Sequence, residues 1–284
     1  SVIESAMPKN TNNVKLAIGY SSSVYVAITQ ITGDRKGELS AVLRFDGDAW
    51  TAMDLPTTQD VSSSGEPFTI GIHPGAQGYV HFSFEADKTN SNIVYIGGDR
   101  QPSKFGGTNR NVKPARFYNG SSDEPNTDST FPNSIGADDF TGRLFRGDAS
   151  KSSGEQWVHL THSNTLGAPG GGTANNSAPH ADSRDMAMDA NGNLIQCDDG
   201  GVYRRTMPQS NLGDWFPMCG NLQVTEIHSI VYDPVTRRIA GGTQDNGTSE
   251  QTALNSLVYS SKMGGDGGVV VVDTLVYPGS SVLY

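Results

Sequence analysis

The chain has 284 residues, of which 30 are acidic and 20 are basic, so its formal net charge is −10. Sequence-independent nucleic-acid binding requires a basic face, and this charge excludes that class of function. The most hydrophobic run, residues 269–272, is far shorter than the roughly 18 to 20 residues of a membrane-spanning helix. Apolar residues make up 35% of the chain and 34 residues are glycine, a composition that favours β structure with many turns.

Helical periodicity is almost absent, because Gly, Pro or Asn interrupts nearly every window with apolar residues at i, i+3, i+4 and i+7. Short β-rich runs recur instead, separated by turn residues such as Asp233-Pro234. In chain order the predicted strands are 15–20, 24–30, 41–45, 68–72, 79–84, 93–97, 142–146, 157–161, 185–189, 194–197, 202–205, 228–232, 238–242, 257–260 and 269–273.

The three tryptophans mark a repeat. A glycine–acid pair lies within three residues before each of Trp50, Trp157 and Trp215, and a strand of similar composition precedes each pair. A second repeated phrase is a strand, a turn with Pro, Gly or Asn, and another strand, at 70–82, 186–196, 230–241 and 270–284. Together the two phrases give four short strands over roughly 40 to 50 residues, the period of a β-propeller blade.

We therefore predict an all-β fold, a single β-propeller domain over residues 1–284 with about six to seven four-stranded blades. Residues 99–139 are expected to form a long loop or decoration. The last repeat stops at Tyr284 in mid-blade. Either an N-terminal strand completes that blade, or the chain is an incomplete segment of a larger propeller and of a larger polypeptide or assembly.

Three phrases in the C-terminal half carry a family resemblance: residues 179–189 (PHADSRDMAMD), 198–204 (DDGGVYR) and 241–248 (GGTQDNGT). In this order they resemble the propellers of sortilin-type and xyloglucanase-type (glycoside hydrolase family 74) proteins, in the style of large secreted bacterial surface proteins. The resemblance covers residues 90–284 and implies a propeller fold, a secreted or cell-surface location and a carbohydrate or protein ligand.

The tryptophan turns resemble the Asp-box turns of the bacterial-neuraminidase-repeat superfamily in degenerate form. The fuller motif is Ser-x-Asp-x-Gly-x-Thr-Trp, and Phe45 and Ser152 stand where its Asp would be. This resemblance also implies a propeller fold.

The DDGGVYR phrase contains the candidate catalytic residue. In xyloglucanase-type enzymes a similar phrase carries a catalytic carboxylate at the mouth of the cleft, which implies that role for Asp198. A glycosidase needs a second carboxylate about 5 to 10 Å away, and Asp266, just before Gly267-Gly268, is the expected partner. The alternative is a tight Asp-Gly-Gly turn in which the Asp side chain accepts hydrogen bonds from backbone amides.

Several polar residues are candidates for ligand binding. Gln244, Asp245 and Asn246 follow a strand in a row, which suits a rim exposed to a ligand. Asp199 and Arg204 of the DDGGVYR phrase are expected to contribute to the same function. The alternative at 244–247 is an Asn-Gly hairpin with a type I′ turn.

His180, Asp182 and Asp185 form the last candidate group, because alternate residues of a strand share a face. They could hold a ligand or a metal, or instead close neighbouring blades by hydrogen bonds.

No cofactor is expected to be required. The acidic composition suits a structural calcium ion held by Asp side chains and loop carbonyls. Cys197 and Cys219 could be bridged or free.

The sequence thus predicts an extracellular β-propeller module that binds a carbohydrate or protein partner on its rim or funnel. One alternative is a glycoside hydrolase, xyloglucanase-like or sialidase-like, with Asp198 and Asp266 as its carboxylate pair. Another is a structural spacer without a ligand.

Overall fold

The computed structural model describes residues 9–61, 67–100, 141–161, 172–175, 177–222 and 224–284. The long loop expected at 99–139 therefore lies outside the described residues, except for Asp99 and Arg100. The described residues form β-strands and one short 3-10 helix, Tyr20–Ser22, which confirms the predicted all-β fold. The chain divides into two compact units, Ser1–Gly220 and Asn221–Tyr284. The expectation of one domain and the number of blades stay predictions.

The first unit contains three four-stranded antiparallel sheets, in which strands that are consecutive in the chain are neighbours. Sheet 1 consists of β1 (Thr11–Ile18), β2 (Val24–Thr32), β3 (Arg35–Phe45) and β4 (Trp50–Met53). A two-stranded pair, β5 (Thr58–Val61) and β6 (Pro67–Ile70), precedes sheet 2, which consists of β7 (Ser83–Ala86), β8 (Ile93–Arg100), β9 (Gly142–Asp148) and β10 (Trp157–His159). Sheet 3 consists of β11 (Asp185–Met188), β12 (Leu194–Asp198), β13 (Gly201–Arg205) and β14 (Trp215–Pro217).

The second unit contains one four-stranded antiparallel sheet and one strand pair. Sheet 4 consists of β15 (Ile227–Asp233), β16 (Arg238–Thr243), β17 (Gly247–Gln251) and β18 (Tyr259–Met263), and the pair consists of β19 (Val272–Asp273) and β20 (Val282–Leu283). Four-stranded meanders of this kind are the blades of β-propellers. The four complete sheets and the partial fifth therefore agree with the predicted fold class.

The tryptophan repeat has a structural counterpart in sheets 1 to 3. Trp50, Trp157 and Trp215 each begin the fourth strand of a sheet. The Trp157 indole N–H donates to the Asp54 carbonyl at 2.7 Å, and the Trp215 indole N–H donates to the Leu160 carbonyl at 2.8 Å. Both acceptors follow the fourth strand of the preceding sheet, so the repeated tryptophan connects successive sheets at the same position.

The core of the first unit lies between its sheets. Along β8, Val94 and Ile96 join a cluster with sheet 1, whereas Ile93 and Tyr95 join a cluster with sheet 3. This alternation is the two-residue period of a strand that is buried on both faces. Each such fully buried side chain stabilises the fold by about 1.5–3 kcal/mol. Sheet 2 is thus the central layer against which both neighbours pack.

A buried arginine connects the β5–β6 pair to sheet 2. Arg143 on β9 donates from Nη2 to Thr58 Oγ1 at 2.7 Å and to the Ile70 carbonyl at 2.9 Å. Its Nε donates to the Gly71 carbonyl at 2.7 Å. These contacts satisfy a guanidinium that is fully buried, which is what a buried charge requires.

The strand predictions differ from the structure at residues 70–82 and at four strands that were not predicted, β4, β5, β14 and β17. Residues 70–82 were expected to form a strand–turn–strand phrase, but β6 pairs with β5, and residues 79–82 form a turn before β7. β17 was not predicted, because its sequence, GTSEQ, has no apolar alternation. Its place is determined by pairing with β16 and β18 on either side. The phrases at 186–196, 230–241 and 270–284 do form antiparallel pairs.

Candidate functional site

The candidate site in the first unit lies where strand ends of sheets 2 and 3 come together. Ser83 pairs with Gly97 across β7 and β8, so His81 and Asp99 lie at one end of sheet 2. Asp185 pairs with Cys197 across β11 and β12. The loop before β11, residues 179–184, and the turn after β12 therefore lie together at one end of sheet 3.

Glycines, which lack a side chain, and short serine side chains allow these two ends to approach closely. The Ser183 amide donates to the Gly98 carbonyl at 3.0 Å, and Ser83 Oγ lies 2.5 Å from Ser183 Oγ. Gln196 Nε2 donates to Ser183 Oγ at 3.0 Å. A Cβ atom added at Gly97 would lie 2.5 Å from both serine oxygens, so a larger residue at 97 would push the loop away.

This approach creates a group of four side chains, His81, Asp99, Asp182 and Asp199, which we call the His81 cluster. His81 Nδ1 lies 2.9 Å from Asp182 Oδ1 and 3.9 Å from Asp99 Oδ1. Ligand atoms of His81, Asp182 and Asp199 all lie within 4.8 Å of one another, so these three residues could hold a metal ion.

Burial gives the His81 cluster unusual electrostatics. Asp99 is fully buried, and burial raises the pKa of its carboxyl to about 7. A hydrogen bond from the Gln77 amide to the Asp99 carboxylate acts in the opposite direction. The carboxylate of Asp182 raises it further. His81 is held by its backbone, since its amide donates to the Gln77 carbonyl at 2.8 Å and its carbonyl accepts from His73 Nε2 at 3.1 Å. Burial lowers the pKa of His73 to about 3, so that ring is a neutral donor.

One member of the His81 cluster, Asp199, also forms an exposed ion pair with Arg184. Arg184 Nε and Nη2 both donate to Asp199 Oδ1, at 2.9 and 2.7 Å. Asp185 is also exposed, and its carboxylate accepts from the Met186 amide at 3.0 Å. His180 is half-buried, and a Cβ at Gly200 would lie 2.4 Å from the His180 Cβ, so the turn after β12 packs against His180. His180, Asp182, Asp185 and Asp199 thus lie around one end of sheet 3.

The candidate catalytic residue Asp198 lies in that turn and is only 9% exposed. Its Oδ1 accepts from the Gly200 amide at 2.9 Å, the contact expected of a turn-capping aspartate. Burial raises the pKa of its carboxyl to about 8. Arg204, predicted to bind ligand, lies on β13 with its guanidinium 5.8 Å from the centre of the Phe216 ring.

The other predicted residues lie in the second unit. Asp266 Oδ1 accepts from Gln244 Nε2 at 2.9 Å and from the Asp245 amide at 3.1 Å. Asn246 Nδ2 donates to the Gln244 carbonyl at 3.1 Å. These four residues, of which Gln244 is half-buried and the others are exposed, therefore form one hydrogen-bonded group in a different unit from Asp198. Their assignment to ligand binding stays a prediction, as does the Asp198–Asp266 pair.

The turn at 244–246 differs from the two-residue Asn-Gly hairpin that the sequence also allowed. Three residues connect β16 to β17, and the left-handed positions are Asp245 (φ 57°) and Gly247 (φ 71°). In this backbone conformation the Asp245 amide donates a hydrogen bond to the Asp266 carboxylate.

Sequence reasoning did not single out His81 and Asp99. His81 was read as part of a strand, and Asp99 as the first residue of the long loop expected at 99–139. A weak signal was present, because two glycines before an aspartate at a strand end indicate close backbone approach.

Both cysteines are free and half-buried, and Cys219 Sγ accepts from the Val202 amide at 3.2 Å.

Comparison with known proteins gives structural neighbours but no sequence relatives. No family model matches the chain, and no curated protein matches it either. A family 74 xyloglucanase from Xanthomonas campestris is similar over 93% of this chain and 39% of its own, with a TM-score of 0.41 and 10% identity. A Trypanosoma rangeli sialidase in complex with 2,3-difluorosialic acid is similar over 96% of this chain and 42% of its own, with a TM-score of 0.30 and 9% identity.

A family 74 enzyme from Niastella koreensis is similar over 90% of this chain and 38% of its own, with a TM-score of 0.27 and 16% identity. This chain spans about two-fifths of the length of these three structures. In the part of the chain that the structure describes, no helix is both long and apolar enough to cross a membrane.

Proposed function

We propose that this chain is an extracellular β-propeller module that binds a carbohydrate. The proposed binding surface is the end of sheet 3 at which four polar residues lie: His180, Arg184, Asp185 and Asp199. The observation that carries the proposal is the exposed Arg184–Asp199 pair, held between the loop before β11 and the turn after β12.

The chemistry of this pair suits a ligand with many hydroxyl groups. A guanidinium donates in a fixed plane and a carboxylate accepts, so together they can bind neighbouring hydroxyls in both directions. Few, fixed polar groups of this kind give a binding site its specificity. An exposed ion pair contributes only about 0–1 kcal/mol to stability, so a structural role gives little reason for the arrangement.

The conformation of the adjoining loop supports the same surface. Asp182 has a φ of +69°, a left-handed conformation that costs energy for a residue other than glycine. The loop keeps this conformation because Ser183 is bonded to Gly98, Ser83 and Gln196. Loops that are fixed by a rigid scaffold are where binding residues concentrate.

The xyloglucanase-type part of the sequence resemblance supports a carbohydrate rather than a protein ligand, and the resemblance as a whole supports an extracellular location. Binding is favoured over catalysis because Asp198 is buried and its Oδ1 caps its own turn. A glycosidase with Asp198 and Asp266 as its carboxylate pair is the alternative, and hydrolysis would distinguish it.

Titration calorimetry of the whole chain against xyloglucan and sialylated oligosaccharides tests the proposal. We expect saturable binding without hydrolysis, and a loss of at least about tenfold in affinity for Arg184→Ala, since two charge-assisted bonds would no longer hold Asp199. Lys88→Ala is the matched control, because it removes another exposed ion pair, with Glu85, from the same unit. Equal loss in both variants, or no binding to any of these glycans, would contradict the proposal. Turnover that disappears in Asp198→Asn would favour the enzyme.

A further inference from the structure

The His81 cluster has a property that does not depend on glycan binding. Three of its ligand atoms, His81 Nδ1, Asp99 Oδ1 and Asp182 Oδ1, are buried and have no hydrogen-bond partner among the described residues. Leaving one such polar group unsatisfied costs about 1–3 kcal/mol. Three of them facing each other indicate that something else binds them.

The two most buried of these side chains point into the cluster. The His81 side chain is 8% exposed and that of Asp99 is fully buried. The second oxygen of Asp99 is occupied, since Oδ2 accepts from the Gln77 amide at 3.3 Å. Its free Oδ1 is the oxygen that lies 3.9 Å from His81 Nδ1.

A simple His–Asp ion pair does not account for the arrangement. His81 Nδ1 and Asp182 Oδ1 are 2.9 Å apart, yet neither atom is in a geometry that makes a hydrogen bond. A single imidazolium would also leave two further carboxylates, Asp99 and Asp199, close to Asp182. Of these, Asp199 is the one paired with Arg184.

The distances fit the first coordination shell of a small cation. Ligand atoms at about 2.1 Å from a metal are about 3.0–3.4 Å apart in octahedral or tetrahedral geometry. His81 Nδ1 lies 2.9 Å from Asp182 Oδ1 and 3.9 Å from Asp99 Oδ1, close to these separations. Ligand atoms of His81, Asp182 and Asp199 lie within 4.8 Å of one another, so the side chains would move inward on binding an ion.

We propose that His81, Asp99 and Asp182, with Asp199 as a fourth carboxylate, bind one divalent transition-metal ion, Zn²⁺ or Mn²⁺. The donor set decides the class of ion. Calcium and magnesium take oxygen ligands, whereas imidazole nitrogen suits zinc and its neighbours and carboxylates also suit manganese. The calcium ion expected from the acidic composition is therefore not the ion that this cluster favours.

The site connects three separate parts of the first unit. His81 precedes β7, Asp99 is the penultimate residue of β8, and Asp182 and Asp199 flank β11 and β12. A bound ion would hold the ends of sheets 2 and 3 together and stabilise the folded chain in proportion to its affinity. This role goes beyond the proposed glycan binding and does not require it.

The test uses the whole chain, stripped with a chelator and titrated with ZnCl₂, MnCl₂, MgCl₂ and CaCl₂ in separate calorimetry and thermal-unfolding experiments. We expect one equivalent of zinc or manganese to bind and to raise the melting temperature. Calcium and magnesium are expected to bind at least about tenfold more weakly. Binding of none of these ions, or equal binding of calcium and zinc, would overturn the proposal.

Two Asp→Asn variants of the first unit locate the ion. Asp182→Asn is expected to weaken zinc binding by at least about tenfold, since it removes a charged ligand. Asp48→Asn, in the exposed turn before β4, is the matched control and should bind zinc like the original chain. Asp182 is half-buried in a loop, so both variants should fold, and unchanged far-ultraviolet circular dichroism would confirm it. Equal zinc affinity in the two variants would overturn the assignment.

Discussion

Asp198 shows how burial changes the chemistry of one residue. Its carboxyl is 9% exposed, and burial raises its pKa to about 8, while the Gly200 amide bonded to Oδ1 acts in the opposite direction. An acid whose pKa is higher in the folded than in the unfolded chain makes folding less favourable as the pH rises between the two values. For Asp198 this range extends from about 4 to about 8.

Asp198→Asn should remove that pH-dependent cost, because the amide is neutral and can still accept from Gly200. Relative to the original chain, the free energy of unfolding of the variant should increase by a few kcal/mol between pH 4.5 and 7.5, at about 1.36 kcal/mol per pH unit at most. Urea unfolding followed by tryptophan fluorescence measures it, since all three tryptophans lie in the first unit.

Asp189→Asn is the control for this measurement. Bonds from Asn193 and Asn191 lower the pKa of the half-buried Asp189, so its contribution is complete above the unfolded pKa and is lost only in stronger acid. The difference between Asp189→Asn and the original chain should therefore not change between pH 4.5 and 7.5. Parallel stability curves for Asp198→Asn and the original chain would show that Asp198 is ionised in the fold.

At the scale of elements, aspartates repeat at the hairpin between the first and second strands of a sheet. Asp87, Asp189, Asp233 and Asp273 each accept from the amide two residues further on, at 2.7–2.8 Å. This Asx turn determines where each strand reverses, so the register of the hairpin follows from a single side chain. Sheet 1 reverses through the 3-10 helix Tyr20–Ser22 instead.

Asp87 is the most deeply buried member of this series. Its Oδ1 accepts from the Thr89 amide, Thr89 Oγ1 and the Asn90 amide, and its Oδ2 accepts from Tyr95 Oη at 2.6 Å and Gln209 Nε2 at 2.9 Å. These bonds hold its pKa below the ordinary value even though burial acts to raise it. The carboxylate thereby connects the β7–β8 hairpin to the segment between β13 and β14.

Asp87→Ala should lower the free energy of unfolding by about 3–5 kcal/mol, because it leaves the buried Tyr95 hydroxyl and several partly buried donors unsatisfied at once. Asp46→Ala is the comparison, since Asp46 accepts from the Asp48 and Ala49 amides in an exposed turn. Asp46→Ala should lower the free energy of unfolding much less than Asp87→Ala does. Chemical denaturation of both variants measures the difference, and similar losses would mean that burial of the Asp87 network contributes little.

These elements explain what the sequence could and could not predict. The tryptophan turns and the hairpins at Asp189 and Asp233 are local, because the residues that form them are within a few positions of each other, and they were found. β17 was missed because its pairing partners, not its own residues, determine it. The His81 cluster was missed because His81 and Asp182 are about a hundred positions apart and meet only when sheets 2 and 3 pack.

At the scale of the whole molecule, the two units differ in how much apolar surface they bury. All three buried apolar clusters among the described residues lie in the first unit. In the described part of the second unit, the buried apolar residues are Ala240 and Val270. Large apolar side chains there remain exposed, with Leu257 at 96% and Leu275 at 88%.

Separate fragments should therefore behave differently. Residues 1–220 should unfold cooperatively and keep the tryptophan emission of the whole chain, because the sheets that pack around β8 are all present. Residues 221–284 should be largely unfolded alone, since a domain of about 60 residues needs a well-buried core to offset its conformational entropy. Circular dichroism and urea unfolding of both fragments measure this. A cooperative transition in 221–284, or a disordered 1–220, would show that apolar burial within a unit does not determine which part of this chain folds independently.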